Sequence, residues 1–225
     1  MAGSDDLMQG LHDLEEARPD YDKAWEYWRS EAPESFDSPV WRRLLAKSSG
    51  RYRVNIAKIP IVALADRLKV SGVVAVTVDG ALDEEADPVL QERVWAANKL
   101  LLQNKRLIRN ALIYGDVYRF VWPGDEDGSC RVHYNSPTTT RAVYDDDDEL
   151  TIRYVVRRFV KDGQTTATLL YPDRLERGWV LKEGADPEEP KSWDRPIPDD
   201  REARALMDVP HDYGRVPVFH FRPDL

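Results

Sequence analysis

The stretch Asp87–Tyr118, DPVLQERVWAANKLLLQNKRLIRNALIYGDVY, decides the fold. It opens on Asp87-Pro88, a side-chain acceptor ahead of a proline, and proline suits a first helical turn because no bond is asked of its missing N–H there. Apolar positions follow at 90, 94, 97, 101, 108 and 112, and Gly115 supplies a stop. This spacing predicts one helix of roughly 25 residues, long for a globular chain and the expected spine of the fold. From Asp116 onward the period changes to that of strands.

Upstream, the sequence reads helical. Ser4 can cap a short helix through Ala17, with Leu7, Leu11 and Leu14 on one face. Pro19 is expected to close that helix and open a second, in which Tyr21, Trp25 and Trp28 continue the 4,3 spacing. Ser38-Pro39 repeats the cap-and-proline signal before Val40–Lys47, and Asn55–Leu68 carries Ile56, Ile59, Val62 and Ala63 with a boundary or kink at Pro60. The β-branched run Val70–Val78 reads as a strand despite Gly72.

Downstream, Val117–Trp122 and Cys130–Tyr134 flank a turn at Pro123–Gly128 and form a hairpin. Leu150–Val160 and Thr165–Tyr171 flank Asp162-Gly163, the sharpest hairpin signal in the chain. Trp179–Leu181 and Val216–Phe221 are further short strands. The expected class is α+β: N-terminal helices and one long central helix, followed by an antiparallel sheet.

Composition narrows the function. The chain has 225 residues, room for one large domain or two small ones. No apolar run reaches the length of about 18 residues that a membrane span needs, so no membrane partner is expected. Met1–Asp20 carries acids where a secretory leader has a basic start and an apolar block. The single cysteine, Cys130, excludes a disulfide scaffold and a cysteine-based zinc site, and reads as a small apolar filler. With 41 acids against 32 bases the net charge is −9, which disfavours sequence-blind binding of nucleic acid. The five consecutive acids Asp145–Glu149 read as a solvated turn.

Catalytic and cofactor signals are weak. His12, His133, His211 and His220 show no metal-ligand spacing, and neither a glycine-rich phosphate loop nor a nucleophile elbow occurs. Pro172-Asp173 with Glu189-Pro190-Lys191 matches the form of a PD…ExK nuclease. That chemistry needs Glu and Lys on one strand, and Pro190 between them argues against one. No catalytic, metal-binding or cofactor-binding residue is therefore assigned, and no cofactor is expected. Lys99, Lys105, Arg106 and Arg109 on the long helix are candidates for contact with a partner or with nucleic-acid phosphates, beside the plain reading as a solvated face. Arg42-Arg43 and Arg157-Arg158 add smaller basic pairs. Tyr21, Trp25 and Trp28 are candidates for core or subunit packing.

Several stretches, taken in order, resemble a known family. They are Arg18, Tyr21, Trp25 and Trp28; Asn55-Ile56-Ala57; Asp66-Arg67-Leu68 with Val70-Ser71-Gly72; and Trp95-Ala96-Ala97-Asn98. Ala111–Tyr118 running into Val121-Trp122 follows, then Ser136-Pro137, Tyr144-Asp145, Tyr171-Pro172-Asp173, Trp179 and Tyr213–Phe221. In this order and spacing the chain resembles the N-terminal half of portal proteins from tailed bacteriophages, particularly those of actinobacterial phages and prophages. None of these landmarks is a catalytic signature.

The resemblance implies a structural, non-enzymatic component of the virion at a capsid vertex, present in the host cytoplasm before assembly. Such proteins form homo-oligomeric rings, commonly dodecameric, that pass double-stranded DNA during packaging and ejection. It further implies contact with the capsid shell protein, and with terminase and the head–tail adaptor through regions beyond this sequence. Residues 1–50 would form an N-terminal helical segment and residues 51–225 the wing-like α+β region. The stem, clip and crown are expected in the part of relatives that continues past Leu225. An assembly adaptor that binds protein partners, or a metal-dependent nuclease, are the alternatives that the residues leave open.

Overall fold

A computed structural model describes residues 2–31, 58–70, 72–124 and 129–222. It is an α+β structure in which one long helix and a two-part helical arm pack on two antiparallel sheets. The expected Ser38-Pro39 cap, the helix Val40–Lys47, the pair Arg42-Arg43 and the landmark Asn55-Ile56-Ala57 lie outside the described residues.

The N-terminal helix α1 spans Ala2–Arg29 without a break, and Pro19 lies inside it. The expected division at Pro19 is thus corrected. Leu7, Leu11, Leu14 and Tyr21 are all buried and hold one heptad register across the proline, so a single apolar stripe docks as a unit. A proline inside a helix costs about 3 kcal/mol, while each fully buried leucine contributes about 1.5–3 kcal/mol. Three leucines on one sheet offset the proline.

Helix α2 spans Lys58–Arg67 and contains Pro60; residues 55–57 of the expected element lie outside the described residues. Residues 70–78 are expected as a strand, and the described residues among them, 70 and 72–78, form no ladder. Their only strand-like pairing among the described residues is an isolated bridge between Val76 and Leu82. Val74, Val76 and Val78 stand exposed, so β-branched residues here extend the chain without a sheet to join.

The predicted central helix is divided. Helix α3, Ala86–Val89, continues as a π-helical stretch over Leu90–Ala96. Lys99 then takes a left-handed conformation (φ 52°), and α4 runs over Leu100–Tyr114. The break falls beside Asn98, whose side chain bridges the helix to a strand edge. Its Nδ2 donates to the carbonyl oxygen of Cys130 at 2.7 Å, and its Oδ1 accepts from the N–H of Val132 at 2.8 Å. The buried face of α4 is Leu100, Asn104, Leu107, Asn110 and Ile113, so Leu101 at 57% exposure does not pack on the sheet. Gly115 ends α4 as expected, in the left-handed conformation (φ 81°) with its N–H on the Ala111 carbonyl.

The smaller sheet has the order β2-β1-β9, in which β1 is Val117–Pro123, β2 is Cys130–Asn135 and β9 is Val218–Phe221. The larger runs β3-β4-β5-β6-β7, built from Thr140–Tyr144, Ile152–Lys161, Gln164–Leu170, Arg174–Leu181 and Trp193–Asp194. A short β8, Asp208–Pro210, pairs with the start of β6, preceded by a one-turn helix α5, Arg201–Ala205. The Asp162-Gly163 hairpin forms as read, with Lys161 opposite Gln164 and positive φ at both turn residues.

Two cores follow from strand alternation. On one face of the larger sheet, Tyr154, Val156 and Leu169 meet the leucines of α1. On the other, Val155, Leu170 and Leu175 meet Tyr118 and Val218 of the smaller sheet. Burial beside the Asp6 carboxylate pushes the Tyr154 phenol up to about 12.

Candidate functional site, a polar junction of helices and sheets

Gly115 reverses the chain out of α4 and leaves Asp116 at the mouth of β1, between α1 and both sheets. Three elements send a side chain to it. Tyr21 of α1 donates its hydroxyl to Asp116 Oδ2, and Arg141 of β3 donates to the Tyr21 oxygen at 3.3 Å and lies 3.8 Å from the carboxylate. His220 of β9 meets Asp116 Oδ1 through Nε2 at 2.9 Å. Tyr144, also of β3, meets the opposite ring nitrogen, Nδ1, at 2.6 Å.

The chemistry fixes the proton positions in the neutral ring. An ionised carboxylate only accepts, so His220 Nε2 carries the hydrogen and Nδ1 accepts from the Tyr144 hydroxyl. The imidazole is 5% exposed and lies flat against the Tyr118 ring, with centroids 4.2 Å apart. Burial raises the Tyr21 and Tyr118 phenols, Tyr21 also through its bond to Asp116. Burial pushes the Asp116 carboxyl the same way. The hydrogen bonds from His220 and Tyr21, with the charge of Arg141, outweigh it and hold Asp116 below the usual carboxylate range.

This arrangement ties helix to sheet through charge-assisted bonds whose partners are all satisfied, which rigidifies a junction. Tyr21, Asp116 with Tyr118, Tyr144 and His220 lie in four separate stretches of the resemblance, and the structure gathers them. Sequence reading missed Asp116, Arg141 and His220 as partners. Alternation alone held one signal: His220 lies between Phe219 and Phe221, both exposed, and so points to the opposite face of β9.

The basic candidates do not converge. Lys105 pairs with Asp66 of α2 at 2.8 Å, both largely exposed. The Arg106 guanidinium lies 4.7 Å from the centre of the Tyr134 ring. Lys99 occupies the helix break, and Arg109 is exposed one turn beyond Lys105. Of the aromatic candidates, Tyr21 is buried in the junction, while Trp25 stacks on Tyr114 with centroids 5.9 Å apart. Lys58 sits 5.0 Å from the centre of the Trp28 ring.

The nuclease-like residues are separated. Asp173 lies in the β5–β6 turn beside Arg174, at 3.1 Å, while Glu189 precedes the 3-10 turn Pro190–Ser192 that holds Lys191. Glu and Lys therefore share no strand. Among the described residues, no three or more His, Cys, Asp or Glu side chains gather as a metal site would require.

No helix among the described residues is long and apolar enough to cross a membrane. Comparison with curated proteins finds no match. Comparison with known families finds one that spans nearly the whole chain, described as phage portal protein, SPP1 Gp6-like, over residues 13–224. The α+β fold and its landmarks, joined at Asp116, agree with that match, and this chain belongs to the phage portal protein family.

Proposed function

We propose that this chain builds the wing region of a portal ring, the structural assembly at one capsid vertex through which double-stranded DNA is packaged and ejected. The family match over residues 13–224 carries the reading. In it, residues 51–225 form the wing and residues 1–50 add a helical segment. Subunits assemble in the host cytoplasm as a closed ring, commonly of twelve copies in the family, and enter the virion with the capsid shell protein as neighbour. Terminase and the head–tail adaptor dock on parts of the ring outside these residues.

The role is non-catalytic. A junction in which Asp116, His220, Tyr144 and Tyr21 bond one another supports a load-carrying body, since those groups are already committed to each other. Lys99, Lys105, Arg106 and Arg109 offer a basic face to an acidic partner or to phosphates. Trp25, 37% exposed, offers the free part of its ring to a neighbouring subunit. Light scattering on the purified chain, with negative-stain imaging of any large species, tests the reading. Rings of about a dozen copies are expected for a closed heterologous assembly. A monomer at every concentration would overturn ring formation by this chain.

A further inference from the structure

The larger sheet has a second concave feature, on the face turned away from α1. Where the smaller sheet stops covering it, a cleft of about 400 Å³ opens over the ends of β4, β5 and β6. Its floor is apolar, with Val155, Leu170 and Val218, and its rim carries Arg157, Lys161 and Arg177. These follow from alternation, since Val155, Arg157, Phe159 and Lys161 are the odd positions of one strand.

The rim is electrostatically unbalanced. Arg158, on the opposite face, is paired with Glu15 of α1. Arg157, Lys161 and Arg177 have no acidic partner among the described residues, and the nearby turn residue Asp162 forms no ion pair with them. Burial, and then the like charge of Arg177, hold the Arg157 guanidinium below its ordinary range. Thr140 also lines the cleft. It is 1% exposed, and its hydroxyl has no hydrogen-bond partner. Three uncompensated cations over an apolar floor, with an orphaned buried hydroxyl, fit an anionic peptide segment that also presents an apolar side chain.

Such a segment exists at the other end of the same strand. The turn Asp145–Leu150 precedes β4. Asp145 and Asp148 hold it closed by accepting from the N–H groups of Asp147 and Leu150, at 3.0 and 2.9 Å. That leaves the carboxylates of Asp146, Asp147 and Glu149 free and exposed, followed by Leu150 at 71% exposure. Arg157, the rim residue nearest the turn, lies five residues beyond Ile152 at the start of β4, about 17 Å at the rise of a strand, so the carboxylates of the turn do not reach the rim of their own cleft. Complementary surfaces at opposite ends of one element meet only between copies, head to tail.

We propose that the cleft rimmed by Arg157, Lys161 and Arg177 binds the acidic turn Asp145–Leu150 of a second copy of this chain. Carboxylates meet the rim and Leu150 covers the floor. The proposal rests on the ring reading for its setting and names one contact of that ring.

Two charge-reversed chains test it. Lys161→Glu with Arg177→Glu disables the cleft and keeps the turn. Asp146→Lys, Asp147→Lys and Glu149→Lys disable the turn and keep the cleft. All five positions are exposed, and Asp145 and Asp148, which shape the turn, are untouched. In sedimentation at low salt, each variant alone is expected to stay monomeric, because a head-to-tail contact needs both surfaces in every chain. The mixture is expected to form one-to-one pairs through the single intact contact, and 0.5 M salt should weaken pairing at least about 10-fold.

A mixture that stays monomeric at about 100 µM, a concentration at which even weak contacts of the 10–100 µM class are populated, overturns the proposal. So does association lost on reversing the cleft but unmoved by reversing the turn, which would place a different acidic segment there. Wild-type rings that both variants still form would also overturn this contact while leaving the ring reading standing. One-to-one pairing without wild-type rings would keep the contact and remove the ring.

Discussion

The side-chain amide of Asn98 completes the edge of the strand at Val132. It accepts from the Val132 N–H at 2.8 Å and donates to the Cys130 carbonyl at 2.7 Å, as a peptide group of a neighbouring strand would. Its second donor hydrogen stays with its own helix, on the Val94 carbonyl at 2.8 Å. One residue beside the helix break thus seals the open edge of the smaller sheet. Asn98→Ala removes the sealing bonds and leaves two strand groups without partners. Chemical denaturation should show a loss of about 1–3 kcal/mol. An unchanged midpoint would mean that the edge does not depend on this amide.

Asp116 makes the junction pH-dependent. Its carboxyl titrates below its unfolded value of about 3.9, so the stability it confers is complete above that pH and is lost as pH falls through the lower folded value. Asp116→Asn abolishes that titration and removes a charge-assisted acceptor from His220 and Tyr21. The variant should be less stable at pH 7. Its stability should also fall less steeply than that of the wild type between about pH 4 and pH 2. Parallel stability curves over that range would show that Asp116 gains nothing from its neighbours.

Gly10 of α1 lies directly against Val156 of β4. A Cβ added there would meet Val156 Cγ1 at 2.7 Å and Val156 Cβ at 2.9 Å. Alanine improves helix propensity by about 1 kcal/mol, but overpacking a tight contact costs about 1–3 kcal/mol. Gly10→Ala should therefore destabilise on balance. Because the clash is with one side chain, Gly10→Ala and Val156→Ala together should cost less than the sum of the two singles. A double-mutant cycle reads this directly, and additive values would mean that the helix shifts freely to make room.

The legible parts of this fold are those in which local chemistry and tertiary packing agree. Asp162-Gly163 made a hairpin, Gly115 ended a helix, and the stripe Leu7, Leu11, Leu14 faced a core. Where packing overruled local rules, the residues misled. Pro19 normally divides a helix, but the stripe on either side of it keeps register and holds α1 together. Val74, Val76 and Val78 suit a strand, but a ladder needs a partner that their sequence cannot announce. The polar junction was the least legible, because Tyr21, Asp116, Arg141, Tyr144 and His220 come from four distant elements. Each alone is an ordinary surface residue type. Their pairing exists only once both sheets have closed on α1.

The buried face of α4 shows the same conflict and allows a clear test. Spacing of apolar residues alone selects 101, 108 and 112, whereas the helix buries Leu100, Asn104, Leu107, Asn110 and Ile113. Two asparagines stand on the buried side because the sheet offers them partners: Asn104 accepts from Arg119, and Asn110 donates to the Tyr134 hydroxyl at 2.7 Å. Counting only apolar positions skips both and turns the helix toward its wrong face. Leu107 at 8% exposure and Leu101 at 57% are then the discriminating pair. Leu107→Ala should cost about 2–5 kcal/mol by emptying a packed site. Leu101→Ala should cost under about 1 kcal/mol, since most of its surface already meets solvent. Urea unfolding of the two variants decides the orientation, and a larger loss at Leu101 than at Leu107 would reverse it.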